Sequence, residues 1–262
     1  MHRILVPMCA ALMLIGGCAT TAEKAPSSEQ DYSHEAIRIG FTPDYPPVLC
    51  KQFGQLCGIE VDLAELVADD LNAPVELYEM PFHELIPSLE RGDIDVIMSG
   101  LSVTEERAQR VRFVEPYMSI GQMALVRAAD ANQFADADAL RTADIVVGAV
   151  LGSTAELYVQ SNMAATCKSF VNNDGALAAL RAGNVDAVIA DSPYVELMAK
   201  ADTNLAALPW RLTQEQLAWA VSRSPAADRL FHELDDEVKA AKRRGDVQRI
   251  VDDHVAMILE ND

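Results

Sequence analysis

Positive charge is scarce in this chain. It has 21 Lys and Arg against 40 Asp and Glu in 262 residues, a formal charge of −19. Phosphate binding needs clustered Lys and Arg, so no nucleic-acid partner is expected. The acidity itself names no ligand and reads as a contribution to solubility. Enzyme signatures are also missing: there is no hydrolase triad, phosphate loop or zinc-ligand spacing. His83 in HELIP lacks the second histidine of an HExxH site and reads as a helix-surface residue. No catalytic residue, cofactor or metal is therefore expected. At 50% hydrophobic and 23% charged, the chain is neither disordered nor membrane-spanning throughout, and its length allows one large domain or two small ones.

The N-terminus is a processing signal. Residues 1–17 place His2 and Arg3 before an apolar stretch too short for a comfortable membrane span, then small residues. Ile15-Gly16-Gly17-Cys18 resembles the bacterial lipobox, whose cysteine is lipidated and becomes the mature N-terminus; the alternative is a plain signal peptide cleaved nearby. Residues 18–35 lack apolar periodicity and read as a flexible tether. The expected location is outside the cytoplasm, periplasmic or at the cell surface, with a lipid on Cys18 as the membrane anchor.

Five cysteines are few, and setting aside Cys9 and Cys18 leaves Cys50, Cys57 and Cys167. Export permits disulfides. Gly54 in the intervening KQFGQL suits a hairpin turn that would bring Cys50 and Cys57 face to face, with a free buried pair as the alternative. Cys167 is then an unpaired thiol on a strand.

What the chain has is an internal repeat. LERGDIDVIMSGLSVTEER (Leu89 to Arg107) recurs in altered form as LRAGNVDAVIAD (Leu180 to Asp191). Each copy reads as helix end, glycine cap and strand. Each strand then delivers different polar groups just past its end: Ser99 and Gly100 in one, Asp191 in the other. Ligands of open α/β sheets sit outside the carboxyl ends of the strands, so two α/β lobes with a cleft between them are expected. Alternating strand and helix patterns from Ile37 to Arg91, and again from Ala143, fit this plan. The late strand LAWAVSR and two C-terminal helical stretches have no partners of their own and return to the first lobe. The expected division is 36–120 with 221–262 as lobe 1 and 121–220 as lobe 2. Met118 to Arg127 and Leu217 to Arg223 would then be the two strands of a hinge. A single continuous domain is the alternative.

The chemistry concentrates at the strand ends. Ser102 to Glu105 has the S-x-x-E form of a capping box, predicting a helix from Ser102 with Arg107 on its second turn; Ser153 to Glu156 repeats the device around Thr154. Helix N-termini favour anions, and the planar fork of Arg107 grips a carboxylate through two hydrogen bonds. A surface ion pair with Glu105 or Glu106 is the alternative for Arg107. Asp191, before Ser-Pro, reads as a helix N-cap that also accepts a ligand ammonium. Tyr45 and Phe82 fall on loops where their rings would cover the apolar part of a ligand, or else pack in the core.

These residues carry a resemblance to the extracytoplasmic solute-binding proteins, family 3, which bind polar amino acids for ABC transporters, from Ala36 to the C-terminus. The stretches that carry it are IRIGFTPDYPP, VDLAELVADDL, FHELIPSLERGDIDVIMSGLSVTEER, FVEPYM, VGAVLGST, LRAGNVDAVIADSP and LAWAVSR. The resemblance implies an α/β, type II periplasmic-binding-protein fold with its ligand cleft between lobes joined by a two-strand hinge. It implies that Arg107 grips the ligand α-carboxylate with Ser102 and Thr154, that Asp191, Ser99 and Gly100 receive the α-ammonium, and that Tyr45 and Phe82 sandwich the side chain. The implied partners are a small amino-acid-like ligand and an ABC permease, for a lipid-anchored monomer that is not an enzyme. Gly100 stands where many relatives have serine, and Val48 where an aromatic is common. Thr42 stands where basic-amino-acid binders often have aspartate, which weakens the case for lysine or arginine. Dehydratases acting on cyclohexadienyl acids share this fold, and a ligand sensor for a membrane receptor would use the same cleft; these are the competing readings.

Overall fold

The computed structural model describes residues 36–71 and 74–259; the expected signal peptide, Cys18 and the tether lie outside the described residues. Strand β1 (Ile37–Phe41) opens the fold and buries Ile39, Gly40 and Phe41 in succession, as a strand covered on both faces does. A small antiparallel meander follows, formed by β2 (Asp44–Tyr45), β3 (Leu49–Gln52) and β4 (Gln55–Cys57). Its tight turn uses positive φ at Phe53 and Gly54, 51° and 82°, the second of which glycine adopts without steric cost. Cys50 and Cys57 are register partners, 5.0 Å apart at Cα, and form a disulfide.

Helix α1 (Ile59–Leu71) buries Ile59, Leu63 and Val67 at helical spacing, together with one charged residue, Glu60. β5 (Val75–Glu79) returns parallel to β1, and a 3₁₀ turn at Phe82–Glu84 leads into α2 (Leu85–Arg91), which stops at Gly92 with φ 75°. β6 (Val96–Ile97), α3 (Glu105–Arg110) and β7 (Val111–Phe113) complete the first pass. The chain then crosses through β8 (Met118–Ile120) into β9 (Gln122–Arg127). A second set follows: α4 (Ala137–Thr142), β10 (Val146–Val150), α5 (Thr154–Asn162), β11 (Thr166–Phe170) and α6 (Asn173–Arg181). It ends with β12 (Ala187–Asp191), α7 (Ser192–Ala201) and β13 (Leu205–Ala207). The return runs through β14 (Glu215–Leu217) and β15 (Ala220–Ser222) to α8 (Asp228–Arg244) and α9 (Asp246–Leu259), which pack against each other and α1.

Two five-stranded sheets have the same plan. One has the order β5-β1-β6-β15-β7, the other β11-β10-β12-β9-β13. In each, three parallel strands are followed by an antiparallel one that has just crossed from the other half of the molecule, β15 or β9. The repeat is used identically in both. Asp95 and Asp186 each donate a backbone N–H to the middle of the three parallel strands of their own sheet, at Arg38 and Val146, and accept that residue's N–H on their carboxylate. Past α6, Gly183 takes φ 74°, matching Gly92 past α2.

The two crossings differ from continuous strands. Met118 to Arg127 breaks at Gly121, where a Cβ would meet the Thr213 carbonyl oxygen at 2.3 Å. Leu217 to Arg223 breaks at Ala218 and Trp219. β8 and β14 pair with each other in a separate two-stranded ribbon, while β9 and β15 join opposite sheets. Ala220 already pairs with Ile97 and Phe113 in the first sheet.

Candidate ligand site

The polar ends of β6 and β12 meet in one pocket, bounded by residues of both halves. Ser99, Gly100, Ser102 and Arg107 come from the first half; Ser153, Thr154 and Asp191 come from the second; Tyr45 and Phe82 form part of its wall. All nine expected ligand-site residues therefore line one space. Several of their local settings differ from expectation.

The helix bearing Arg107 starts at Glu105, not Ser102. Thr104 is its N-cap and accepts from the Arg107 N–H at 3.2 Å, because Ser102 is held in a β-bridge to Leu217 and cannot turn into the helix. Ser102 serves Arg107 differently: its carbonyl accepts from Nη1 at 2.8 Å. Nη2 donates to the Gly152 carbonyl at 3.0 Å, and the guanidinium carbon lies 5.6 Å from the Phe82 ring centroid. Arg107 is 9% exposed and forms no ion pair among the described residues, which removes the surface pairing with Glu105 or Glu106. Burial draws its proton affinity down, against the charges of Asp191, Glu215 and Glu106.

Ser153 caps α5 as expected, accepting from the Glu156 N–H; the Glu156 carboxylate reaches one residue further back than a capping box requires, to the Gly152 N–H at 2.7 Å. The Thr154 hydroxyl donates to Glu215 at 2.8 Å and accepts from the Gln122 amide at 3.0 Å. Asp191 occupies the N-cap position of α7 without capping it. Its carboxylate instead accepts from Gln122 Nε2 at 2.5 Å, which draws the side chain from the helix end into the pocket. Burial pushes its carboxyl up to about 6; Tyr45, Gln122 and Arg107 hold it down, and Glu215 adds to the rise. The Tyr45 hydroxyl is near enough to act on Asp191 but is buried with no hydrogen bond of normal geometry.

Tyr45 lies in β2 rather than on a loop, and Phe82 opens the 3₁₀ turn. Gly100 sits under the Tyr45 ring: at φ 59° any Cβ would lie 2.5 Å from it, so serine is excluded here by both conformation and space. Thr42 spends its hydroxyl on the Met80 carbonyl, and Ser99 Oγ accepts from the Thr42 N–H.

The sequence reading missed Asp44, Asn173, Gln122 and Glu215. Asp44 and Asn173 line the pocket and bond to each other. Burial pushes the Asp44 carboxyl up to about 6, opposed by the Asn173 N–H. The one local signal was Gln122, a fully buried polar residue heading the apolar run MALVR. Outside the pocket, Cys167 is an unpaired, half-buried thiol on β11, and burial pushes it up.

Chemically, the pocket offers one buried cation, two carboxylates and flanking aromatic rings, which suits a zwitterion with a further positive group. Residues 37–256 match the family described as Bacterial extracellular solute-binding proteins, family 3. The Arginine-binding periplasmic protein of Mannheimia haemolytica is 25% identical over 246 residues, 92% of this chain and 95% of that protein. An ancestral arginine-binding protein, solved bound to arginine, is 28% identical with a TM-score of 0.77, covering 85% of this chain and 99% of the other. An ancestral amino acid-binding protein described as a precursor of cyclohexadienyl dehydratase is 30% identical with a TM-score of 0.75, covering 83% and 94%. With its two lobes, repeated sheet plan and matched length, this chain belongs to the bacterial extracellular solute-binding proteins, family 3.

Proposed function

We propose that the protein captures an amino acid by closing residues 36–120 and 221–262 against residues 121–220, and delivers it to an ABC transporter. The observation that carries this is Arg107 and Asp191 in one pocket, each within range of the other's charge yet not bonded to it. A ligand with carboxylate and ammonium on one carbon satisfies both. Arg107 with Ser102 and Thr154 takes the carboxylate; Asp191 with Ser99 and Gly100 takes the ammonium; Tyr45 and Phe82 flank the side chain.

A cationic side chain fits best. Thr42 supplies no charge, but Asp44, two residues on, places a carboxylate in the same pocket. Arginine-binding relatives support the same class. The protein acts as a binder. A dehydratase-like enzyme on this fold is the competing reading, supported by the likeness to a precursor of cyclohexadienyl dehydratase and by Asp191, whose carboxyl near 6 is suited to proton transfer. The protein acts as a monomer, exported and anchored by lipid on Cys18; the lipobox-like Ile15 to Cys18 supports the export and the anchor, and mass spectrometry of the membrane fraction finding a free N-terminus elsewhere would contradict them.

The test is thermal unfolding against each of the twenty amino acids, since a ligand of the folded state raises stability by RT ln(1 + [L]/Kd). L-arginine or another basic amino acid is expected to give the largest shift and to be recovered unchanged. No shift with any amino acid overturns the reading; conversion of the ligand replaces binding with catalysis.

A further inference from the structure

Beneath the pocket, on the side away from the ligand space, lies a buried carboxylate that the binding site does not itself expose. Glu60, 1% exposed on the first turn of α1, directs Oε1 to two donors: the Gly100 N–H at 3.0 Å and the Tyr117 hydroxyl at 2.6 Å. The Trp219 indole N–H is near enough to hold the carboxyl down, short of a hydrogen bond of normal geometry. Tyr117 immediately precedes β8, and Trp219 separates β14 from β15; their ring centroids are 6.4 Å apart. One carboxylate thus bonds to the ligand-facing loop and to the residue that enters the first hinge crossing, next to the indole of the second.

We propose that Glu60 is a positioning residue for ligand binding, fixing the Ser99–Gly100 peptide at the floor of the cleft and tying it through Tyr117 to the start of the first hinge crossing, with Trp219 of the second crossing beside it. This rests on the amino-acid reading of the cleft. A trans peptide is planar, with its N–H and C=O antiparallel. Holding the Gly100 N–H on Glu60 therefore turns the Ser99 carbonyl away from Glu60, toward the side where Ser99 and Gly100 line the pocket and a ligand ammonium needs an acceptor.

Burial pushes the Glu60 carboxyl up to about 7, against its hydrogen bonds. The titratable groups around it are Tyr117 and, one layer further, Tyr45 and Asp191, and no Lys or Arg acts on it. Its ionised form holds the Gly100 N–H more strongly than its neutral form, so ligand affinity rises with pH through about 7.

The test uses Trp219 as a reporter. Trp210 is the only other tryptophan, so Trp210→Phe isolates the indole beside Glu60. In ligand-free protein, Trp219 emission is expected to titrate with a midpoint near 7, and to be flat in Glu60→Gln. The Kd for L-arginine, or for the amino acid with the largest thermal shift, is expected to tighten between pH 6.5 and 8 in wild type and to tighten less in Glu60→Gln, where only the upper end of the Asp44 and Asp191 titrations near 6 remains. Glu60→Leu is expected to weaken it by about tenfold or more, the scale of one charge-assisted hydrogen bond. Circular dichroism verifies folding, and Glu60→Gln carries the test if Glu60→Leu does not fold. Emission independent of pH, or unchanged affinity and pH profile in the Glu60 variants, overturns the proposal. If wild type binds no amino acid, the amino-acid reading fails and takes this role with it, an outcome distinct from variants that bind as wild type does.

Discussion

The backbone N–H of Asn173 donates to the Asp44 carboxylate at 2.6 Å, and the Asn173 amide donates to the Asp44 carbonyl at 3.1 Å. These residues lie 129 apart in sequence and join the β2–β4 meander to the start of α6 across the pocket. The bond from Arg107 to the Gly152 carbonyl is a second strap between the halves. Asp44→Ala is expected to remove one strap and one acidic wall together. Affinity for arginine should fall by about 1–2 kcal/mol, and affinity for glutamine by less, since glutamine brings no charge for Asp44 to meet. Isothermal titration with both ligands checks this; equal losses would remove Asp44 from side-chain selection.

Arg107→Ala is expected to cost roughly 2–5 kcal/mol of binding, because the ligand carboxylate would be buried without its partner. Arg107→Lys should fall between alanine and wild type, keeping the charge and losing the planar fork. Asp191→Asn should weaken amino acids strongly and their deaminated analogues little. Small-angle scattering is expected to show ligand-induced compaction in wild type and little in Arg107→Ala, since a ligand shifts the closure equilibrium only through its difference in affinity for the two forms. Wild-type affinity in both Arg107→Ala and Asp191→Asn would sink the proposed site.

Stability of the ligand-free protein should fall as pH rises from about 4 to about 7. Asp44 and Asp191 are raised from 3.8 to about 6, and Glu60 from 4.5 to about 7. A carboxyl with a raised folded-state pKa binds its proton more tightly in the native state, so its contribution is full below the unfolded value and lost as pH climbs through the folded one. Thermal unfolding across this range checks the sign, and Glu60→Gln should flatten the upper part of the slope. A midpoint that rises with pH there would contradict the burial of these groups.

Reduction of Cys50–Cys57 is expected to destabilise the meander by about 2 kcal/mol, on the scale of a short disulfide-closed loop. A non-reducing peptide map should show the pair linked and Cys167 alkylatable. Cys167→Ser should leave ligand affinity unchanged, because that thiol lies on β11, outside the pocket.

Much of the fold was legible because its signals are local. The alternation of IRIGF, the helical spacing within VDLAELVADDL, and the glycines at 92 and 183 act within a few residues, and the duplicated LERGD and LRAGN segments exposed the twofold plan. Arg107 and Asp191 were legible because they end those same local units. The Cys50–Cys57 pairing followed from one hairpin turn.

Tertiary structure decided what local spacing left open. Ser102 has the sequence of a cap, yet its bridge to Leu217, 115 residues on, outcompetes the helix, and Thr104 caps instead. Asp191 looks like a cap until Gln122, its register partner on the neighbouring strand β9 and 69 residues earlier in sequence, draws its carboxylate away. Glu60 stands just before the apolar run VDLAELVADDL and Asp44 beside prolines, and neither carries a local signal of its role. Their partners, Gly100, Tyr117 and Asn173, are 40, 57 and 129 residues distant. A capping or turn preference amounts to about 1 kcal/mol and is set by neighbours in sequence; burial of a carboxylate costs more and is met only by groups that packing brings from elsewhere in the chain.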